Sequence, residues 1–152
     1  MNKRWKGILI AAIVAVFLVT PAFLVGSLGA FSPAHARMIY SINSEQFEIA
    51  ADRVLKQGSA DNVRMPNGVK DIDLHNTHSG CVDFYMGGFG LVPSTTYWGV
   101  IYTTEDAPVG WGGLDVEFVR DGEGWYWQEE EGDNSCSVTK LADHWYMYEM
   151  RF

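Results

Sequence analysis

An uninterrupted apolar run near the start constrains this chain most. No charged side chain occurs across residues 7–34, and residues 8–31 form 24 strongly apolar positions. As a helix rising ~1.5 Å per residue, this run is about 36 Å long. A bilayer hydrocarbon core is about 30 Å thick, so the run predicts a span with some tilt. It is too long for an ordinary buried helix of a small domain. Lys3, Arg4 and Lys6 stand just ahead of it. Cationic flanks stay on the cytoplasmic side, which predicts an N-terminus inside and the rest of the chain outside.

The run admits a second processing. Ala34 and Ala36 make a small-x-small site with His35 between them, and Pro33 stops a helix just before it. Cleavage after Ala36 would secrete the remainder. The length of the run exceeds the usual ~7–15 apolar residues of a signal peptide and favours a retained anchor. Pro21 either shortens the run or kinks a spanning helix, which membranes tolerate. No cysteine lies near the boundary, so a lipobox-type anchor is excluded. The expected organisation is a basic cytoplasmic tip at 1–6, a transmembrane signal anchor at 7–31, a tether at 32–42 and an extracytoplasmic domain at 43–152.

Charge narrows the partners. The chain carries 19 acidic and 11 basic side chains, and its net charge is −8. Without Lys3, Arg4 and Lys6 the remainder holds 8 basic against 19 acidic groups, a net charge near −11. Such a surface repels nucleic acid, anionic lipid and polyphosphate. It accepts cationic partners or Ca²⁺.

The outer part reads as one α+β domain: one amphipathic helix and an antiparallel sheet of five to seven strands. Asn43 is a good N-cap, with Gln46 three residues on and Ile42 and Phe47 placed as a hydrophobic staple. Phe47, Ala50, Ala51, Val54 and Leu55 repeat at helical spacing, and Gly58 stops the pattern. These signals predict a helix over 44–57. Strand patterns follow. Val69, Ile72 and Leu74 alternate imperfectly; Val82, Phe84 and Met86 alternate with Cys81, Asp83 and Tyr85. Residues 96–104 are aromatic and β-branched, and Leu114, Val116 and Phe118 alternate with acids. Residues 121–124 (DGEG) predict a hairpin turn into WYWQ. The last predicted strand sets Tyr146, Tyr148, Met150 and Phe152 inward, against Trp145, Met147, Glu149 and Arg151.

Candidate chemistry centres on DLHNTHSGC, residues 73–81. His75, His78 and Cys81 could give three zinc ligands, with His144 or Cys136 as a distant fourth. Their spacing fits no paired C-x₂-C or H-x₃₋₅-H element. The favoured reading is a disulfide between Cys81 and Cys136, the two cysteines of an exported domain. Closing that loop would stabilise by roughly 4 kcal/mol, less any strain. The histidines then belong to a turn, and no metal or cofactor is expected. Gly87–Gly90 (GGFG) lacks the following helix of a phosphate loop and reads as a flexible connection. The acidic run at 128–134 lacks the order of an EF-hand and reads as a solvated loop. Ser79, Ser94 or Cys81 with a histidine base makes no recognisable triad, and there is no G-x-S-x-G elbow.

Aromatic residues are the remaining excess. Trp98, Trp111, Trp125, Trp127 and Trp145 are possible binding residues, because exposed rings stack on sugars or anchor protein partners. A sheet covered on both faces, or cross-strand pairing of the rings, is the simpler account of them. No motif carries a resemblance to a characterised family. The sequence therefore leads to a single-pass membrane protein, non-enzymatic, whose acidic outer domain binds protein or glycan. The alternative is a secreted hydrolase or metal-dependent enzyme using the His75/His78/Cys81 region.

Overall fold

The computed structural model describes residues 33–76, 80–91, 94–114 and 116–152. The basic tip and the apolar run at 7–31 lie outside the described residues. Among the described residues no helix is long and apolar enough to cross a membrane.

The helix α1 spans Pro33–Gln57 and is longer than the sequence predicts. The expected tether at 32–42 is helical from Pro33 onward. Asn43 does not cap a helix start. It interrupts the helix at φ −119° and ψ 19°, and a second helical segment continues from it. Its Nδ2 donates to the Ile39 carbonyl at 2.9 Å and its Oδ1 accepts from Gln46 Nε2 at 3.2 Å. The capping signal was real in chemistry, but a helical segment precedes it as well. Ala36, Tyr40, Phe47, Ala50, Ala51 and Val54 are buried, so one apolar stripe runs through the interruption. Gly58 ends α1 at φ 69°, with its N–H donating to the Val54 carbonyl at 2.9 Å.

Seven strands follow: β1 Asp71–His75, β2 Cys81–Leu91, β3 Ser94–Thr103, β4 Val119–Asp121, β5 Gly124–Gln128, β6 Ser135–Ala142 and β7 Trp145–Arg151. They form one sheet in the order β1-β2-β3-β7-β6-β5-β4, antiparallel throughout. Over the described residues the fold is α+β, one helix on a seven-stranded antiparallel sheet. Two meanders, β1–β3 and β4–β7, meet where β3 pairs with β7.

Three segments differ from the sequence reading. Residues 114–118 alternate in sequence, yet their described residues pair with nothing beyond a bridge from Leu114 to Gly110; the strand begins only at Val119. β6 carries no strong strand signal and is nevertheless central to the second meander. Gly87–Gly90 lies within β2, although Gly87 and Gly90 do take positive φ, 159° and 135°.

Both faces of the sheet are covered. The helix side holds Phe47, Val54, Val82, Phe84, Trp98, Val100 and Trp145. Phe47 meets Phe84 edge-on at 5.1 Å, and the Trp145 indole donates to Glu48 Oε1 at 2.6 Å. The other side holds Cys81, Ile101, Val109, Cys136, Val138, Tyr146, Tyr148 and Met150. The connection from β3 to β4, described at 104–114 and 116–118, crosses this second face, with Val109 buried and Trp111, Leu114 and Phe118 packed against it. A short 3₁₀ turn, Trp111–Gly113, lies in this crossing segment. The connection is tied down by Asp106, which accepts from Lys140 Nζ at 2.6 Å, the His144 N–H at 2.8 Å and the Tyr146 hydroxyl at 2.9 Å.

Candidate functional site

Strand alternation collects the acids. On β1, Asp71, Asp73 and His75 share the face opposite Ile72 and Leu74. The antiparallel register sets them beside Tyr85, Asp83 and Cys81 of β2. Tyr97 of β3 and the 3₁₀ turn complete a cleft. It is lined by Asp71, Asp73, His75, Asp83, Tyr85, Tyr97, Trp111 and Gly112, and its volume is about 580 Å³. A second hollow, about 600 Å³, lies on the other side of β1 against residues 58–63; it shares Asp71 and Asp73 but has no aromatic wall.

Aromatic rings form one wall. Tyr97 and Trp111 stack with centroids 5.4 Å apart and planes 16° from parallel. Phe152 sets an edge against both, at 5.7 and 5.5 Å, and Tyr85 meets Tyr97 at 6.0 Å. This contact network fixes the ring positions, because each ring is held by at least one other.

Asp83 forms the buried acid of the cleft. It is 3 % exposed. Its Oδ2 accepts the Gly112 N–H at 3.0 Å, whereas Oδ1 is buried without a hydrogen-bond partner. Burial pushes its pKa up to about 7; the charges of Asp73 and Asp71 add to the rise, and the Gly112 N–H and nearby Tyr148 hydroxyl oppose it. The Tyr148 hydroxyl, itself buried, lies beside the carboxyl and favours its ionised form. Burial first, and then the charge of Asp83, holds Tyr148 well above the ordinary phenol range. Gly99 explains how Tyr148 gets there. A Cβ on Gly99 would meet Tyr148 Oη at 2.5 Å, so the missing side chain leaves room for the ring beneath β3.

The residues singled out in the sequence are dispersed. His75 lines the cleft with its Nε2 buried and unpartnered. His78 and Ser79 lie outside the described residues. His144 is held elsewhere, its Nδ1 2.9 Å from the Thr103 carbonyl and its ring stacked on Tyr102. Among the described residues, no three of His, Cys, Asp and Glu converge on a metal position. Cys81 and Cys136, the pair expected to form a disulfide, are both fully buried in the second core, on β2 and β6 with β3 and β7 between them. Cys136 is a thiol in this structure, its pKa pushed up to about 11 chiefly by burial. The acidic run is the β5–β6 turn, closed by Asn134 donating to Glu129 at 2.8 Å.

Of the five candidate tryptophans, Trp98 and Trp145 are 3 % and 1 % exposed in the helix-side core and cannot meet a partner. Trp125 is half-buried under the Arg120 guanidinium, 4.4 Å from its ring centre. Trp127 packs on the second core. Trp111 alone among the five lines the cleft. Asp71, Asp83, Tyr85 and Tyr97 were not foreseen as site residues. Their signal was the alternation of DIDLH beside CVDFY, which puts acids and aromatics on one shared face.

No protein-family model matches this chain, and no curated protein or solved structure matches it.

Proposed function

We propose that this chain is a membrane-anchored, extracytoplasmic binding protein, not an enzyme, and that it takes part of a protein or glycan into the cleft beside Trp111. The stacked Tyr97–Trp111 pair facing three aspartates is the observation that carries this reading. A fixed aromatic wall with a few polar groups is the usual construction of a ligand site. The apolar run at 8–31 and the basic tip supply the anchor, and the acidic charge excludes nucleic acid as partner.

Glycan and peptide arrays probed with the full chain test it. A bound member should quench tryptophan fluorescence, and Trp111→Leu should abolish binding while the circular dichroism spectrum is retained. Failure of every member of both arrays to bind overturns the reading. The hydrolytic alternative draws on His75, whose unpartnered Nε2 shares the cleft with Asp83. It requires a bound array member to be cleaved, with loss of cleavage in His75→Gln.

A further inference from the structure

We propose that the cleft receives an arginine side chain from a basic peptide segment of a protein partner. This rests on the binding reading above and names the chemistry the cleft selects.

The charge balance of the lining is one-sided. Asp71, Asp73 and Asp83 line the cleft, and among the described residues no Lys or Arg does and His75 is the single basic side chain there. Asp71 and Asp73 are exposed, and no described Lys or Arg forms an ion pair with either. Asp83 is almost wholly buried and lines the same cleft, with the Tyr148 hydroxyl beside its carboxyl and Oδ1 making no hydrogen bond. A buried carboxyl oxygen without a hydrogen bond is costly, and a cation brought beside it favours the ionised form. The described lining is therefore acidic, with no Lys or Arg to balance it.

The spread of the acids selects the shape of the donor. Asp71 and Asp73 stand two residues apart on one strand, about 7 Å by the usual rise. Asp83 lies across from Asp73 in the register. The described carboxylates do not converge as a metal site requires. A guanidinium suits such a spread better than an ammonium or a bare ion. It is planar, carries five donors in a fork, and stacks on aromatic rings. Trp111, Tyr97 and Tyr85 supply rings in the same cleft. The net negative charge of the whole chain, −8, steers such a cation inward.

The test uses the full chain in detergent micelles and a blocked hexapeptide with one central arginine. Matched peptides carry citrulline or lysine at that position; spermidine is a further probe. Calorimetric titration should give binding of the arginine peptide, with the citrulline peptide at least about tenfold weaker and the lysine peptide between them. Asp71→Asn and Asp73→Asn should each weaken the arginine peptide about threefold to tenfold. Both positions are exposed, so folding should be retained and is checked by circular dichroism. Glu130→Gln, in the distant β5–β6 turn, should leave affinity unchanged. Equal binding of the arginine and citrulline peptides, or equal loss in Glu130→Gln, overturns the proposal. Spermidine binding as tightly as the peptide overturns the assignment to a peptide side chain. If an oligosaccharide from the array binds and no arginine peptide does, this inference fails and the binding reading stands. If nothing binds, both fail.

Discussion

The backbone N–H of Gly112 donates to Asp83 Oδ2 at 3.0 Å, joining two residues 29 positions apart in sequence. This bond pins the 3₁₀ turn over the cleft and so places Trp111. Gly112 reaches it only with φ at 63°, where non-glycine residues are strained.

Gly112→Ala therefore tests backbone strain apart from crowding, because a Cβ there meets nothing within 4 Å. The variant is expected to lose about 1 kcal/mol in urea unfolding, and Gly112→Asn less, since asparagine tolerates positive φ. Equal stability of all three proteins would separate the turn from any need for this conformation.

Asp83 makes stability depend on pH. In the folded protein its carboxyl holds its proton up to about pH 7, against an ordinary value of 3.8. Between those values the folded state binds more protons than the unfolded chain, so stability falls as pH rises from about 4 to about 7. Asp83→Asn should flatten that slope and raise the melting temperature at pH 8 relative to the unaltered protein. Calorimetric scans across pH 4–8 read this directly, and an unchanged slope would refute it.

Asp106 acts in the opposite window. Hydrogen bonds from Lys140 first, then from the His144 N–H and the Tyr146 hydroxyl, lower its pKa to about 2. Its contribution is present above the ordinary value of 3.8 and is lost as pH falls from about 4 to about 2. Asp106→Asn should lower stability at neutral pH and remove part of the acid-side loss. Melting curves at pH 2.5, 4 and 7 check both signs.

The helix is expected to be needed on both sides of Asn43. Phe47 is fully buried among the rings of Tyr40, Phe84 and Trp145. Phe47→Ala should cost ~3–5 kcal/mol, and Phe47→Leu keeps the protein folded for comparison. Tyr40→Ala should cost about 2 kcal/mol or more. A loss below ~0.5 kcal/mol at Tyr40 would mean that the segment before Asn43 adds nothing to the core.

Cys136 should resist alkylation in the folded protein, because it is buried and its pKa is about 11. Full reaction after unfolding without reductant is the expected outcome. Reaction only after reduction would instead place Cys136 in a disulfide and overturn its assignment as a thiol. Mass spectrometry distinguishes the two.

The second half of α1 was legible because five apolar residues repeat on one face. Its first half was hidden by strong local signals. Pro33 and Asn43 both read as boundaries, yet Ala36 and Tyr40 lie on the stripe of Phe47. β6 escaped notice because its sequence, SCSVTKLA, holds only Val138 and Thr139 as β-branched residues and no aromatic ring. Residues 114–118 erred in the other direction. Alternation records which side a residue buries, and an extended segment lying across a sheet satisfies it without pairing. The cleft was illegible for a related reason. Asp83 reads as an outward residue when a sheet is assumed to bury one face, and the covering segment around Val109 and Trp111 reverses that assumption.

The pairing of β3 with β7 has a consequence for synthesis on the ribosome. β7 emerges after the other six strands, and it seats between β3 and β6 at the middle of the sheet. Until it emerges, the two meanders expose open hydrogen-bonding edges to each other and to neighbouring nascent chains. The helix meanwhile lacks Trp145 beneath it. Folding of this domain is thus gated by its last strand, and a chaperone that holds extended segments would act in that interval.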